Sequence, residues 1–482
     1  MDRRDQGEVT TENMTSLLAL LPDDVLTDIF RRLPPRGVAT SRCVCKSWLA
    51  IVDAHRLLRA DLLPLSFDGF FTNFYNFYIS EFFTPRSDVP SISGKQDYLP
   101  KAGSLSWGYI DGHYNGLVLV NSFDGNGDKN RYVLNLATRW LAPLPPCPPS
   151  PMEIKGTFKV EYLVYDPAES TDFEFEVVSI TRFGRMCKPG DTHDHEIEQS
   201  EWTPSVCILD VFSSTTGQWE ERSFAREGNS FMGTVSGMRQ DWLSDQHNDV
   251  YCRGALYVHS QNNCVMRISL SSDKYHVIKP PPGIEVEDYP EIYLGKSSKG
   301  IYCASIKGRC RVQVWNLDES GCQMKWVLIH DRDLSKWLLK HKLEYPIPCY
   351  GAKIQGPWAL QDINYYYDGY NSDHDMEAPT EEKIQWSLQA SEDEKFTWSS
   401  DDEYGCYGGY MEILGFHPWK EIIFLSESIT RGLAYHLSSS KVEVLGNIYP
   451  AGYANELGNE QILKSSFPYT PCWLTQTADE RS

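Results

Sequence analysis

Two short clusters of side chains could bind a metal or act as nucleophiles, but neither has the spacing of a known site. His193 and His195 lie one residue apart in a charged stretch, with no third strong ligand placed near them by sequence. Zinc sites need three or four protein ligands, so we interpret this stretch as a solvated loop and predict no metal site. Cys43 and Cys45 flank Val44, and we expect them to pack rather than to form a zinc pair or a nucleophile.

The sequence contains no established catalytic motif in a suitable context. There is no nucleophile elbow, phosphate-binding loop, HExxH helix or dinucleotide fingerprint, so we predict a non-catalytic protein without a cofactor. The 13 cysteines are scattered and form no CxxC pair, which favours reduced thiols in an intracellular protein. No run of 18 apolar residues is present and the first residues lack a secretory pattern, so we expect a cytoplasmic or nuclear location.

The elements that would position functional side chains begin with an amphipathic helix within Leu20–Trp48. Pro22 suits a first helical position, and Pro34 together with Pro35 ends the helix. Acidic residues at the helix start and Arg31 near its end match the helix macrodipole. The apolar side chains are spaced to share one helix face, at Leu21, Val25, Leu26, Ile29, Phe30 and Leu33.

Two further short helices are predicted, over residues 38–44 and 46–53. Such a small helical segment buries too little surface to be stable alone. It must therefore pack on the rest of the chain or on a partner. Periodicity alone leaves both possibilities open: a helical cap on the main domain, or a docking module.

The same residues resemble the F-box motif. The resemblance rests on the phrases LPDDVLTDIFRRLP and CVCKSW. It implies a helical F-box over residues 17–62 that binds a Skp-type adaptor and, through it, a cullin scaffold. The residues that match the motif, and would form the adaptor-binding surface, are Leu21, Pro22, Leu26, Ile29, Leu33, Pro34, Val44, Cys45, Lys46 and Trp48.

From about residue 104 the pattern changes to short strands separated by turns. Each segment ends on an aromatic side chain, at Trp140, Trp219, Tyr275 and Trp326, and these are 79, 56 and 51 residues apart. The shorter intervals fit propeller blades, so we predict an irregular β-propeller of about six blades; a pair of β-sandwiches is the alternative. The phrases NGLVLV and YVLNLATRWLAPLPP also resemble the kelch-like F-box-associated domains of plant proteins.

An acidic insertion interrupts this pattern at residues 365–405. It supplies much of the net charge of −21, and we interpret it as a solvated, partly disordered loop. The alternative is an acidic lip that selects basic substrates. Nucleic-acid binding needs a basic surface, so we predict neither a nucleic-acid nor a membrane partner.

Taken together, the sequence predicts the substrate-recognition subunit of a Skp–cullin–F-box ubiquitin ligase, mainly β with a small α module. An unidentified target protein would bind the propeller. The alternatives are a carbohydrate- or small-ligand-binding sensor, and a propeller enzyme with a helical cap. The predicted division is a disordered N-terminus (1–16), the F-box (17–62), a connecting segment (63–103), the propeller (104–472) and a disordered tail (473–482).

Overall fold

The computed structural model shows a chain that is mostly β-structure with a few helices. It describes residues 21–33, 35–42, 44–55, 57, 66–74, 79–87, 92–94, 107–123, 129–149, 156–166, 174–184, 195–240, 248–284, 292–297, 299–321, 324–342, 354–361, 409–450 and 463–473. The predicted disordered N-terminus, the acidic insertion and all but the first residue of the predicted tail lie outside these ranges. The predicted class, mainly β with an N-terminal helical part, is confirmed.

The helices fall into an N-terminal group and a few short pieces within the β-rich body. The N-terminal group comprises α1 (Asp23–Arg32), α2 (Pro35–Arg42) and α3 (Lys46–Ala54). The body contains α4 (His195–Gln199), α5 (Val235–Gln240) and α6 (Ser335–Lys340), with a 3-10 turn at Gln261–Asn263.

The strands run through the whole body. In the first half they are β1 (Gly69–Phe74), β2 (Ser80–Pro85), β3 (Trp107–Tyr114), β4 (Leu117–Phe123), β5 (Lys129–Asn135), β6 (Trp140–Leu144), β7 (Thr157–Val164), β8 (Glu176–Phe183), β9 (Glu201–Trp202), β10 (Val206–Ser213), β11 (Gln218–Arg226) and β12 (Gly233–Thr234). In the second half they are β13 (Asp249–Cys252), β14 (Ala255–His259), β15 (Val265–Ser269), β16 (Lys274–Ile278), β17 (Ile292–Ser297), β18 (Gly300–Lys307), β19 (Arg311–Asp318), β20 (Lys325–Asp333), β21 (Trp358–Gln361), β22 (Met411–Phe416), β23 (Ile422–Glu427), β24 (Arg431–His436), β25 (Lys441–Asn447) and β26 (Leu463–Tyr469).

Apart from the short β9–β12 pair, the described strands form four-stranded antiparallel units. Unit 1 is β3–β6, unit 4 is β17–β20 and unit 5 is β22–β25. Unit 2 (β7, β8, β10 and β11) and unit 3 (β13–β16) join into one eight-stranded sheet through a parallel contact between β11 and β16. The closing unit has the strand order β21-β2-β1-β26 and combines strands from distant parts of the chain.

The units are arranged around a common centre. One outer strand of each unit packs beside the corresponding strand of the next unit, in the order β7, β3, β26, β22, β17 and β13. The two ends of this row, β7 and β13, belong to the eight-stranded sheet, which links units 2 and 3. This nearly closed arrangement is propeller-like, and it is not that of two stacked sandwiches.

Hydrophobic clusters fill the spaces between neighbouring units. One cluster spans units 1 to 3, and others join units 3 and 4, units 4 and 5, unit 5 and the closing unit, and the closing unit and unit 1. A strand such as β14, with the sequence ALYVH, is therefore buried on both faces. This explains why the sequence shows continuous apolar runs rather than an alternating pattern.

The turn between β3 and β4 shows how closely the body is packed. Asn115 and Gly116 both have positive φ angles, of 46° and 89°, as a tight hairpin turn requires. A Cβ atom on Gly116 would lie 2.3 Å from the backbone nitrogen of Cys472, just after β26. Only glycine fits here, both for its conformation and for the approach of the C-terminal segment.

The range 63–103 differs from its predicted role as a connecting segment. It contributes β1 and β2, and β1 pairs along its length with β26, for example Phe71 with Phe467. The β-rich body therefore begins before residue 104. The prediction failed because strand pairing between residues almost 400 positions apart leaves no local pattern in the sequence.

Candidate protein-docking surface

The N-terminal helix forms where its sequence predicts, with one difference at its start. Pro22 has φ −57° and ψ 149° and precedes the helix, so the first helical residue is Asp23. The Pro22 carbonyl accepts hydrogen bonds from the amides of Val25 (3.1 Å) and Leu26 (3.2 Å). Pro22 therefore caps the helix through its carbonyl, and Asp23 and Asp24 supply the negative charge that the helix start favours.

The apolar face of α1 is divided between two directions. Leu26 and Phe30 are 4% and 2% exposed, and they pack with side chains of α2 and α3. Val25 and Ile29, by contrast, are each 43% exposed. Leu26 and Phe30 thus hold the three helices together, whereas Val25 and Ile29 face outward. The helical core consists of Leu26, Phe30, Val38, Ile51 and Val52, with Leu21, Leu33, Trp48 and Leu57 at its margin.

A second exposed apolar position lies just before α3. Val44 is 56% exposed, the largest fraction among the large exposed hydrophobic side chains of the described residues. Cys45 and Lys46 beside it are also exposed, and Cys45 is a free thiol. Trp48 is half-buried because its ring packs edge-on against Phe30, with ring centroids 5.0 Å apart.

The predicted adaptor-binding residues therefore occupy different environments. Leu26 is core; Leu21, Leu33 and Trp48 are half-buried; Pro22, Ile29, Val44, Cys45 and Lys46 are exposed; and Pro34 lies outside the described residues. Their role in adaptor binding stays a prediction. The sequence pattern places Val25 on the apolar face of the helix, but the predicted adaptor-binding residues do not include it. Val25 lies four residues before Ile29, which places both on the same side of the helix.

A small cavity lies where the first strands of several units end, near the centre of the body. Its volume is about 150 Å³, and His113, Asp249 and Lys296 are among the residues that line it. Burial lowers the pKa of His113 to about 3 and raises the pKa of Asp249 to about 8. Both shifts favour the uncharged form of the group at neutral pH.

The contacts of His113 are those of a structural side chain. Its Nε2 accepts a hydrogen bond from the Gly116 amide at 3.1 Å, and it has a second hydrogen bond with the backbone of Thr470. These hydrogen bonds join the ring to the main chain, whereas a general base is usually prepared by a carboxylate partner. Within the ranges that the structure covers, no group of three His, Cys, Asp or Glu side chains could hold a metal ion.

The chain thus combines an N-terminal group of three helices, which carries exposed apolar side chains, with a propeller-like body. The F-box domain family model matches residues 18–60, so the chain carries an F-box domain at the predicted position. An Arabidopsis thaliana protein that is named as an F-box protein is 22% identical over 320 residues, covering 64% of this chain and 73% of that protein.

Solved structures resemble the chain only distantly. A prolyl endopeptidase structure has 12% identity and a TM-score of 0.31 over 93% of this chain, which spans 55% of that structure's length. Sqt1 of Saccharomyces cerevisiae has 10% identity and a TM-score of 0.28, over 83% of this chain and 93% of Sqt1. In the described part of the chain, no helix is long and apolar enough to cross a membrane.

Proposed function

We propose that this chain is the substrate-recognition subunit of a Skp–cullin–F-box ubiquitin ligase, active in the cytoplasm, the nucleus or both. The observation that carries this proposal is the F-box match at residues 18–60. An F-box domain supports a substrate-recognition role in these ligases generally. The Arabidopsis thaliana relative, which bears the F-box name and aligns with 64% of the chain, agrees with this reading.

The exposed side of the helices supports adaptor binding physically. Val25, Ile29 and Val44 are 43–56% exposed, and each would gain free energy if a partner covered it. Fully burying such a side chain stabilises by about 1.5–3 kcal/mol, so a few partly exposed ones contribute several kcal/mol before ordering costs are subtracted. The range 17–62 also carries seven Lys or Arg against five Asp or Glu, which suits an acidic adaptor.

We assign target binding to the body and interpret it as a six-bladed, kelch-like propeller. Units 1 to 5 and the closing unit would be the blades, with the first strand of each of units 1 to 5, and β26 of the closing unit, at the centre. Propeller functions reside in the loops at the rims and the central channel. In this proposal the target is a protein.

In this mechanism the chain performs no bond chemistry. It holds the target so that a target lysine lies near the ubiquitin-conjugating enzyme at the far end of the cullin. The gain is one of proximity, because a bimolecular encounter becomes a reaction within one assembly. The effective concentration of the lysine is then set by geometry rather than by the cellular concentration of the target.

The docking proposal is tested by co-expression of the full chain with a Skp-type adaptor. The triple variant Val25→Asp, Ile29→Asp and Val44→Asp should lose co-purification, since it places charge on the proposed surface while Leu26 and Phe30 remain in the helical core. The matched control changes three apolar residues of β20 to Asp, at Val327, Leu328 and Ile329, which are 42–49% exposed. This control should bind the adaptor normally.

Circular dichroism and size-exclusion chromatography of both triple variants would show that the chains are folded. Full adaptor binding by the Val25, Ile29 and Val44 variant would refute the proposed surface. Failure of the unchanged chain to bind any Skp-type adaptor would refute the proposed function.

A further inference from the structure

A cleft opens in unit 2 where two neighbouring strands separate. β8 and β10 pair only from Glu176 opposite Ser213 to Ser179 opposite Asp210. Beyond this point the two strands are not paired. The unpaired part of β8 runs on to Phe183, and the unpaired part of β10 begins at Val206. The separated ends leave a cavity of about 200 Å³ between them, more than ten times the roughly 10–15 Å³ that one water requires.

The separation is stabilised by a side chain that forms hydrogen bonds with the backbone at the end of β8, where a paired strand would otherwise form them. The Gln261 amide accepts a hydrogen bond from the Phe183 N–H at 2.9 Å and donates one to the Phe183 carbonyl at 3.0 Å. It also donates to the Met238 carbonyl at 2.8 Å. Gln261 thus replaces a neighbouring strand and holds the end of β8 away from β10.

Apolar side chains form most of the cleft wall. They come from both separated strands, from β9, from the segment between β11 and β12 and from unit 3, so the site lies where units 2 and 3 meet. The apolar members include Ile180, Trp202, Cys207, Leu209, Met232 and Met266. Such a wall favours a compact apolar or aromatic body.

One cation lines this apolar cleft. The Arg182 residue is only 7% exposed, and its Nη2 donates to the Tyr162 hydroxyl (2.5 Å) and to the His259 carbonyl. Its buried Nε has no hydrogen-bond partner, and no described carboxylate forms an ion pair with it. A buried guanidinium without a carboxylate is costly, and a carboxylate oxygen is a strong acceptor for the Nε N–H that the Tyr162 and His259 hydrogen bonds leave over.

The other charged group at the cleft does not supply that anion. Asp210 contributes to the lining, but its carboxylate is paired with the Lys159 ammonium at 2.6 Å. The Lys159 ammonium also donates to the Pro148 carbonyl at 2.5 Å. Asp210 is therefore compensated by its own cation, and Arg182 remains the group that a bound anion would neutralise.

We propose that this cleft binds a carboxylate carried on a compact apolar or aromatic body, with Arg182 as the anchor for the carboxylate. The carboxylate belongs either to a free small organic acid or to the C-terminal residue of a peptide. Both offer the same chemistry to Arg182 and to the apolar wall. The inference does not depend on the F-box, since every residue involved lies in units 2 and 3 or the segments beside them.

Isothermal titration calorimetry on the purified full chain tests the proposal. Naphthalene carboxylate represents the free acid and N-acetyl-phenylalanine the peptide terminus; their neutral amides serve as controls of nearly the same shape. At least one acid should bind saturably, and its amide should bind roughly ten- to a hundredfold more weakly because a charge-assisted hydrogen bond is lost. The acid that binds identifies the source of the carboxylate.

Two variants locate the binding. Arg182→Met should reduce the affinity for the acid to that for the amide, and the exposed Arg332→Met should leave it unchanged. Because Arg182 also bonds to the main chain, its loss could disturb folding. Met232→Trp is therefore the second variant: it keeps Arg182, fills the cleft from a loop position and should abolish binding.

Three results would overturn the proposal: no heat of binding for either acid at millimolar concentration, equal affinity for acid and amide, or undiminished binding by folded Met232→Trp. Adaptor binding is measured separately on the same preparations. Loss of acid binding and loss of adaptor binding are thus independent outcomes.

Discussion

His259 is a titratable side chain whose protonation the fold opposes. It is 5% exposed, and burial, together with the nearby Arg182 guanidinium, lowers its pKa to about 4. The ring also forms a hydrogen bond with the Asn263 amide oxygen at 3.1 Å. The folded chain therefore keeps a neutral imidazole at pH values where an unfolded chain, with a pKa near 6.5, takes up a proton.

This shift predicts a loss of stability in acid. Because the pKa of His259 is lower in the folded state, its contribution is complete above about pH 6.5 and is lost as the pH falls toward 4. At pH 5 the loss from this one group is up to about 2 kcal/mol. Urea midpoints measured at pH 7 and pH 5 should therefore differ less for His259→Gln than for the unchanged chain.

The exposed His195 provides the control for this experiment. His195→Gln should keep the full difference between the midpoints at pH 7 and pH 5. An equal difference for His259→Gln and the unchanged chain would show that His259 does not couple folding to proton uptake.

At the residue scale, the sequence predicted the F-box helices but not the direction of each side chain. Val25, Leu26, Ile29 and Phe30 share one helix face, and periodicity treats them alike. Their separation into buried and exposed pairs depends on where α2 and α3 cross α1. That crossing is a tertiary property, and a helical period alone does not contain it.

At the element scale, three of the aromatic side chains that end the repeated segments join neighbouring units among units 1 to 4. The Trp219 indole on β11 donates to the Pro145 carbonyl beyond β6 at 2.9 Å, and the Trp326 indole on β20 donates to the Lys279 carbonyl beyond β16 at 3.1 Å. The Tyr275 hydroxyl on β16 likewise donates to the Pro204 carbonyl. The aromatic residues recognised by their spacing in the sequence therefore form hydrogen bonds between units.

We expect Trp326→Phe to destabilise the body by about 1–3 kcal/mol. The substitution keeps an aromatic ring but leaves the Lys279 carbonyl without its indole donor, and it removes part of a side chain that is only 6% exposed. The measurement is the urea midpoint of the full chain. Trp419→Phe is the control, because Trp419 is 39% exposed. A smaller loss of stability for Trp326→Phe than for Trp419→Phe would contradict the role of the Trp326 hydrogen bond between units.

The repeat of strands could be predicted because it is local. Each unit from 1 to 5 is built from nearby strands with turn residues between them, and these signals stand in the sequence. The closing unit could not be predicted, since β21 comes from residues 358–361 and β26 from residues 463–469. Neither strand lies near β1 and β2 in the chain.

At the scale of the whole molecule, a buried polar network fixes the closing unit against unit 1. The Asn73 amide donates to the Ile110 carbonyl (2.7 Å) and to the Ser465 hydroxyl (2.8 Å). The Ser80 hydroxyl donates to the Asn73 side-chain oxygen (2.5 Å) and accepts from the Ile110 amide (2.8 Å). One asparagine thus connects β1, β2, β26 and β3.

Asn73→Leu should lower the stability of the whole body by about 2–4 kcal/mol, because it leaves several buried polar groups without partners. Asn121 on β4 offers a matched comparison, since it is also fully buried but neither side-chain amide atom has a partner among the described residues. Asn121→Leu should be neutral or stabilising. Equal losses for the two variants in urea unfolding would contradict the role of the network.

The pairing of β1 with β26 also sets an order of events during synthesis. The N-terminal helices and β1 leave the ribosome first, whereas the strand that completes the closing unit is made more than 380 residues later. A chain released before residue 463 would still present Val25, Ile29 and Val44, but the edge of β1 would be uncovered. Under the proposed function, such a fragment would bind the adaptor without the complete body that is proposed to hold a target, and it would therefore inhibit assembly of the ligase.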